Sequence, residues 1–152
     1  MNKKVIIWGV IGVVILVIAY WLISPAFRVV QRDDPMPTPV GNGSVGAGGL
    51  TLSQSNFIAS AHDVSGEAKI IGLPNGKKVL RFENFETTNG PDLFIYLAAD
   101  LEANDFVNLG EIKGTKGNIN YEIPEGTDIA KYNKVLIWCR AFRVLFSYAE
   151  LE

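Results

Sequence analysis

Lys134-Val-Leu-Ile-Trp-Cys-Arg-Ala-Phe-Arg-Val-Leu-Phe-Ser-Tyr148 is the stretch whose reading decides the fold. It is rich in β-branched and aromatic residues, which suit a pleated, half-buried surface. Side chains alternate across a strand. Val135, Ile137, Cys139 and Ala141 therefore share one face, and Leu136, Trp138 and Arg140 share the other. Phe142, Val144, Phe146 and Tyr148 repeat at period two after that, and only Arg140 and Arg143 interrupt. Such a run is expected deep in a sheet, with the thiol of the chain's single cysteine along an apolar face. A free cysteine often serves as a small buried hydrophobe. A reactive one needs thiolate character, a neighbouring cation and some exposure. The residues leave both readings of Cys139 open.

Working outward, short strand-like runs recur between turn residues. Phe57-Ile-Ala59 is one, and Glu67-Ala-Lys-Ile-Ile71 is the next. Pro74-Asn-Gly76 then supplies a tight turn, with proline pre-setting φ and Gly76 able to take a positive φ. Lys78-Val-Leu-Arg-Phe-Glu83 returns, which makes a hairpin. Leu93-Phe-Ile-Tyr-Leu97 is continuously apolar, as a central strand would be. Phe106-Val-Asn-Leu109 and Asn120-Tyr-Glu-Ile123 flank the loop Lys113-Gly-Thr-Lys-Gly117. No stretch of this part sustains a 3.6-residue period. The expectation is an all-β domain over 50–152, an antiparallel β-sandwich.

Ahead of it lie two different segments. Val5–Ile23 carries no charge and follows the basic flank Lys3-Lys4. As a helix these roughly 19 residues would span about 28 Å, close to a bilayer's hydrocarbon thickness. Trp8, Tyr20 and Trp21 sit near its ends, where aromatic residues favour the interface. Residues 1–27 are therefore expected to be a single N-terminal transmembrane helix, an uncleaved signal anchor in contact with membrane lipid. The rival is a cleaved signal peptide, since Ser24-Pro-Ala26 offers small residues and would release a chain starting near Phe27, but an apolar core this long is unusual for one. Lys3 and Lys4 precede the helix, so the N-terminus is expected inside and the rest outside the cytoplasm, at the cell membrane. Residues 28–49 read as a linker. Pro35, Pro37 and Pro39 give way to five glycines, Gly41 to Gly49, with little apolar bulk. Asn42-Gly-Ser44 also fits a glycosylation sequon.

Composition narrows the function. The 152 residues hold 14 basic and 16 acidic side chains. Setting aside Lys3, Lys4 and Arg28, 11 basic remain against 16 acidic. An acidic remainder without a basic stripe argues against nucleic acid. One cysteine and one histidine, His62, cannot build a structural zinc site. A haem could be held by the thiolate of Cys139, by His62, or by both. No Gly-x-Ser-x-Gly elbow is present. Gly72-Leu-Pro-Asn-Gly-Lys-Lys78 lacks the spacing and the hydroxyl of a phosphate loop. Asn89-Gly-Pro-Asp92 is a turn before the apolar strand, and Asp92 either bonds its own turn amides or faces a site.

Four ordered blocks carry more than the physics does. They are Phe85-Glu-Thr-Thr-Asn-Gly-Pro-Asp-Leu-Phe-Ile-Tyr-Leu97, Leu109-Gly-Glu-Ile-Lys-Gly114, Gly117-Asn-Ile-Asn-Tyr-Glu-Ile-Pro124 and Tyr132-Asn-Lys-Val-Leu-Ile-Trp-Cys-Arg-Ala-Phe142. Together they resemble the DM-thirteen domain family over nearly all of Leu50 to Leu151. The resemblance implies an electron-transfer domain at a cell surface, of a kind found beside DOMON domains and cytochrome-type membrane reductases. The family's defining thiol falls on Cys139, as a bare redox thiol or a ligand to a group such as haem. Asp92, Tyr96 and Trp138 fall on other motif positions. A membrane redox partner protein is implied, on a separate chain. The alternative is a non-catalytic surface binding or adhesion module in which Cys139 is packing.

Overall fold

The computed structural model describes residues 3–23, 28–38 and 49–152. Among these residues one helix, α1 (Lys3–Ile23, 21 residues), is followed by ten strands. They are β1 (Gln31–Asp33), β2 (Leu50–Asn56), β3 (Ile58–Ala59), β4 (Val64–Gly72), β5 (Lys78–Thr87), β6 (Leu93–Ala98), β7 (Phe106–Glu111), β8 (Lys116–Ile123), β9 (Lys134–Cys139) and β10 (Val144–Glu150). Five form one sheet in the order β1-β8-β5-β4-β2, and five the other in the order β3-β10-β9-β6-β7. All pairings are antiparallel except β1 with β8.

The sheets enclose one core because each strand turns an apolar face inward. Ala68, Ile70, Leu80, Phe82, Ile119 and Tyr121 come from the first sheet, and Leu93, Ile95, Leu97, Val135, Ile137 and Cys139 from the second. Phe57 meets Phe82 edge-on at 4.9 Å, and Phe82 packs at 5.0 Å from Phe85 and 5.2 Å from Tyr121. Each such side chain contributes about 1.5–3 kcal/mol by leaving water. The buried Tyr121 hydroxyl accepts a bond from Lys113 N at 3.0 Å, which satisfies its oxygen. The expected hairpin is present, with Ile71 opposite Val79 and Gly72 opposite Lys78. Gly76 takes φ 81° in its turn.

Three elements depart from the sequence expectation. The run Lys134 to Tyr148 is not one strand. It breaks after Cys139 into a turn, Arg140 to Arg143, and returns as β10. Ala141 and Phe142 therefore leave the ladder and are exposed. No glycine or proline marks this turn, and Arg143 itself takes φ 54°, a value rare for L-residues. The segment β2 (LTLSQSN) is too polar to announce itself, and it pairs along β4.

The third departure is the linker. Residues 28–38 dock on the sheet. Gln31, Arg32 and Asp33 lie in register with Lys116, Gly117 and Asn118. Asp34 N donates to Asn118 O at 2.7 Å, Asn120 N to Asp34 Oδ2 at 2.9 Å, and Arg81 Nη1 to the carbonyls of Asp34 and Pro35 at 3.2 Å each. Gly117 (φ 116°) permits this approach, since a Cβ there would run into the Arg32 carbonyl oxygen. Residues 39–48 lie outside the described residues, and with them the sequon at 42–44, as do Ser24 to Phe27.

The expected membrane span is not shown at this level. Among the described residues no helix is long and apolar enough to cross a membrane. The side chains at 4, 5, 22 and 23 of α1 lie outside the described residues.

Candidate functional site

Alternation along β9 sends Val135, Ile137 and Cys139 inward, and each is fully buried. Cys139 is a free thiol at the strand's end, opposite Leu93 on β6 and Val144 on β10. Its neighbours on either side of the chain face elsewhere. A thiol sealed in this way cannot meet a second thiol or a soluble oxidant without the fold opening.

The other motif positions gather on the opposite face of the same sheet. Phe94 pairs with Trp138, and Tyr96 with Leu136. Phe94, Tyr96, Ala98 and Leu136 form a second buried cluster, with Trp138, Leu145 and Tyr148 packed against it. The Tyr96 and Phe106 rings stack at 4.1 Å. Burial raises the phenol pKa of Tyr96, and the nearby Arg140 charge opposes that rise. Asp92 reaches out of its turn to Arg140. Its carboxylate takes two bonds from Arg140, Nε to Oδ2 at 3.1 Å and Nη2 to Oδ1 at 3.2 Å. Its carbonyl accepts Arg140 N at 2.9 Å. The Arg140 guanidinium lies 4.0 Å from the centre of the Phe94 ring. Asp92, Arg140, Phe94, Trp138 and Tyr96 thus make one aromatic row, pinned at the end by an ion pair. Arg140's part in it was not legible from spacing, because the partners are 48 residues apart.

His62 belongs to neither group. It sits in the bend between β3 and β4, with its N–H on Phe146 O at 3.1 Å and its ring 3.8 Å from the Phe146 ring. It lines a cleft of about 730 Å³, together with Val29, Val64, Thr87, Asn89 and Thr115 among others. Mostly apolar ligand clefts run from roughly 300 to 1,000 Å³. Thr115, almost fully buried, holds the wall by accepting Val30 N on its hydroxyl at 2.9 Å.

These positions bear on two of the three haem arrangements. Cys139 does not line the cleft that His62 lines. A haem bridged between them does not fit, and a thiolate-ligated one lacks open space beside the sulfur. Among the described residues no three His, Cys, Asp or Glu side chains group as a metal site. One buried polar atom was not anticipated: Ser147 Oγ, on β10 opposite Ile137, has no hydrogen-bond partner among the described residues.

The comparisons with known proteins agree with the four sequence blocks. No curated protein and no solved structure matches the chain. The profile of one family matches residues 56–151, which is β3 to β10 with their connections and includes Asp92, Tyr96, Trp138 and Cys139. Covering well over half of the chain, that match makes this protein a member of the electron transfer DM13 family.

Proposed function

We propose that the protein is a membrane-anchored, extracytoplasmic electron-transfer domain whose redox centre is Cys139. The observation that carries the transfer role is the family match over 56–151. Burial restricts the mode. Thiol–disulfide exchange requires an accessible thiolate, so Cys139 would exchange electrons through the protein. Trp138, adjacent in the chain and on the outer face, is the redox-active ring assigned to route them in this reading. The partner in this reading is a membrane redox protein that docks on the Trp138 side.

The anchor is α1. It bears no charge from Val5 to Ile23. Its described side chains are exposed all round, Trp8 at 72%, Leu16 at 70% and Trp21 at 75%, a pattern suited to lipid and not to water. Lys3 and Lys4 favour a cytoplasmic N-terminus. Retention of the chain in membranes through an alkaline carbonate wash supports the anchor, and release contradicts it.

A second reading keeps the fold and drops the chemistry: a surface binding module in which Cys139 is packing. The fully buried, inward-facing thiol favours it. Voltammetry of the full chain in lipid nanodiscs separates the two. A signal lost in Cys139→Ala with folding retained supports the redox centre. A signal kept in that variant moves the centre to Trp138 or Tyr96. Silence in both proteins favours the binding module.

A further inference from the structure

Topology collects several unrelated features at one end of the sandwich. In the first sheet that end carries the starts of β1, β4 and β8 and the finish of β5, with Gln31 beside Lys116, Lys116 beside Glu86 and Val64 beside Thr87. In the second it carries Leu93, Cys139 and Val144. The two ends coincide, because His62 N bonds Phe146 O and a Cβ on Gly90 would touch the Phe146 ring at 2.9 Å.

This is also the end at which the chain arrives from α1. Five residue steps separate Ile23 from Arg28, a covalent reach of at most about 18 Å. Whatever surface α1 emerges from therefore lies close to Arg28, Val29 and the cleft they line. Apolar side chains crowd the same end without cover. Phe142, at the tip of the β9–β10 turn, is 69% exposed, and Val29 is 67% exposed. Val30 and Val144 add smaller exposed patches.

The charges at this end are compatible with a lipid surface. Arg140 is held by Asp92 and Lys116 by Glu86 at 2.8 Å. Arg28 and Arg143 add two basic side chains at this end, and Asp63 and Glu111 two acidic ones. An aromatic side chain flanked by arginines suits the headgroup region, where the ring is buried and the guanidinium groups stay wet.

We propose that this end of the sandwich rests on the bilayer surface, with Phe142 as an interfacial anchor beside the α1 attachment. The proposal rests on the membrane reading of α1, and goes beyond it by orienting the domain. A sandwich held in this way keeps the cleft next to the lipid headgroups and turns the β4–β5 turn away from them.

The test uses the full chain in vesicles of phosphatidylcholine and phosphatidylglycerol, spin-labelled at Phe142→Cys or, at the far end, Lys77→Cys. Cys139 is sealed, so the unsubstituted chain serves as the unlabelled control. Collision with oxygen, which concentrates in lipid, is compared with collision with a water-soluble nickel chelate. The expected result is oxygen access with nickel exclusion at 142, and the reverse at 77. Nickel access at both positions, in a chain that survives the carbonate wash, overturns the docking and leaves the anchor standing. Exclusion of both reagents at 142 also overturns it, since a protein surface then covers Phe142. Release by carbonate removes the anchor, and the docking falls with it.

Discussion

Arg81 points Nη1 at the carbonyl oxygen of Pro35 from 3.2 Å, across 46 residues of chain. The guanidinium is almost fully buried and also donates to Asp34 O, Asn120 Oδ1 and Glu83 Oε1. Hydrogen bonds to charged groups contribute about 1.5–3 kcal/mol each. Residues 28–38 are thus part of the folded unit. A chain beginning at 28 should be more stable than one beginning at 49, by about 3 kcal/mol in urea unfolding. Arg81→Met should lose more in the longer chain than in the shorter one, where the bonds to Glu83 and Asn120 remain. Equal midpoints for the two chains would show that residues 28–38 contribute nothing.

Glu83 links the same arginine to Lys69. Lys69 Nζ lies 2.6 Å from Oε2 and Arg81 Nε 2.8 Å from Oε1. The bond from Lys69, then that from Arg81, holds the Glu83 carboxyl below the usual range. A carboxyl with a folded pKa below its unfolded one stabilises the fold above the unfolded value, and that contribution disappears as pH falls through the folded one. Stability should therefore decline as pH drops below about 4.3. Glu83→Gln should lower stability by about 2 kcal/mol at neutral pH and flatten this acid decline. Denaturant titrations at pH 3 and pH 7 read both effects. Parallel pH curves for the two proteins would contradict this role for Glu83.

Ser147 buries its hydroxyl without a partner among the described residues. An unmet buried hydroxyl costs about 1–3 kcal/mol. Ser147→Ala should consequently raise stability by about 1 kcal/mol once the lost contacts are set against it. Thermal unfolding checks the sign. A destabilised alanine variant would mean that the hydroxyl is satisfied in solution.

Cys139 should resist alkylation in the folded protein and react only after unfolding, because it has no exposure. Cys139→Ser should cost about 1–3 kcal/mol, since the new hydroxyl enters an apolar core. Cys139→Ala carries no polar group and should cost less. Mass spectrometry after brief alkylation, with and without urea, measures the first effect. Rapid modification of the native chain would show that the thiol is reached from solvent.

Much of the fold could be read from residue order. The period of two along Val135, Ile137 and Cys139 placed the thiol inward, and Pro74-Asn-Gly76 located a hairpin turn. The unbroken apolar run at β6 marked a strand buried on both faces. In each case the information is local, carried by side chains a few positions apart. The turn at Arg140 to Arg143 was not legible, because its positive φ falls on an arginine. Nor was the site legible as a set of groups. Cys139, His62 and the row from Asp92 to Tyr96 fall in the core, a cleft and an outer face respectively. Alternation along β9 separates the first from the third, and only the meeting of the two sheets places His62. The docked segment 28–38 was the least visible element. Val30 meets Thr115 across 85 residues through a backbone N–H. Backbone donors are the same at every residue except proline, so their partners leave no mark on the sequence and are settled only when the sheet edge is in place.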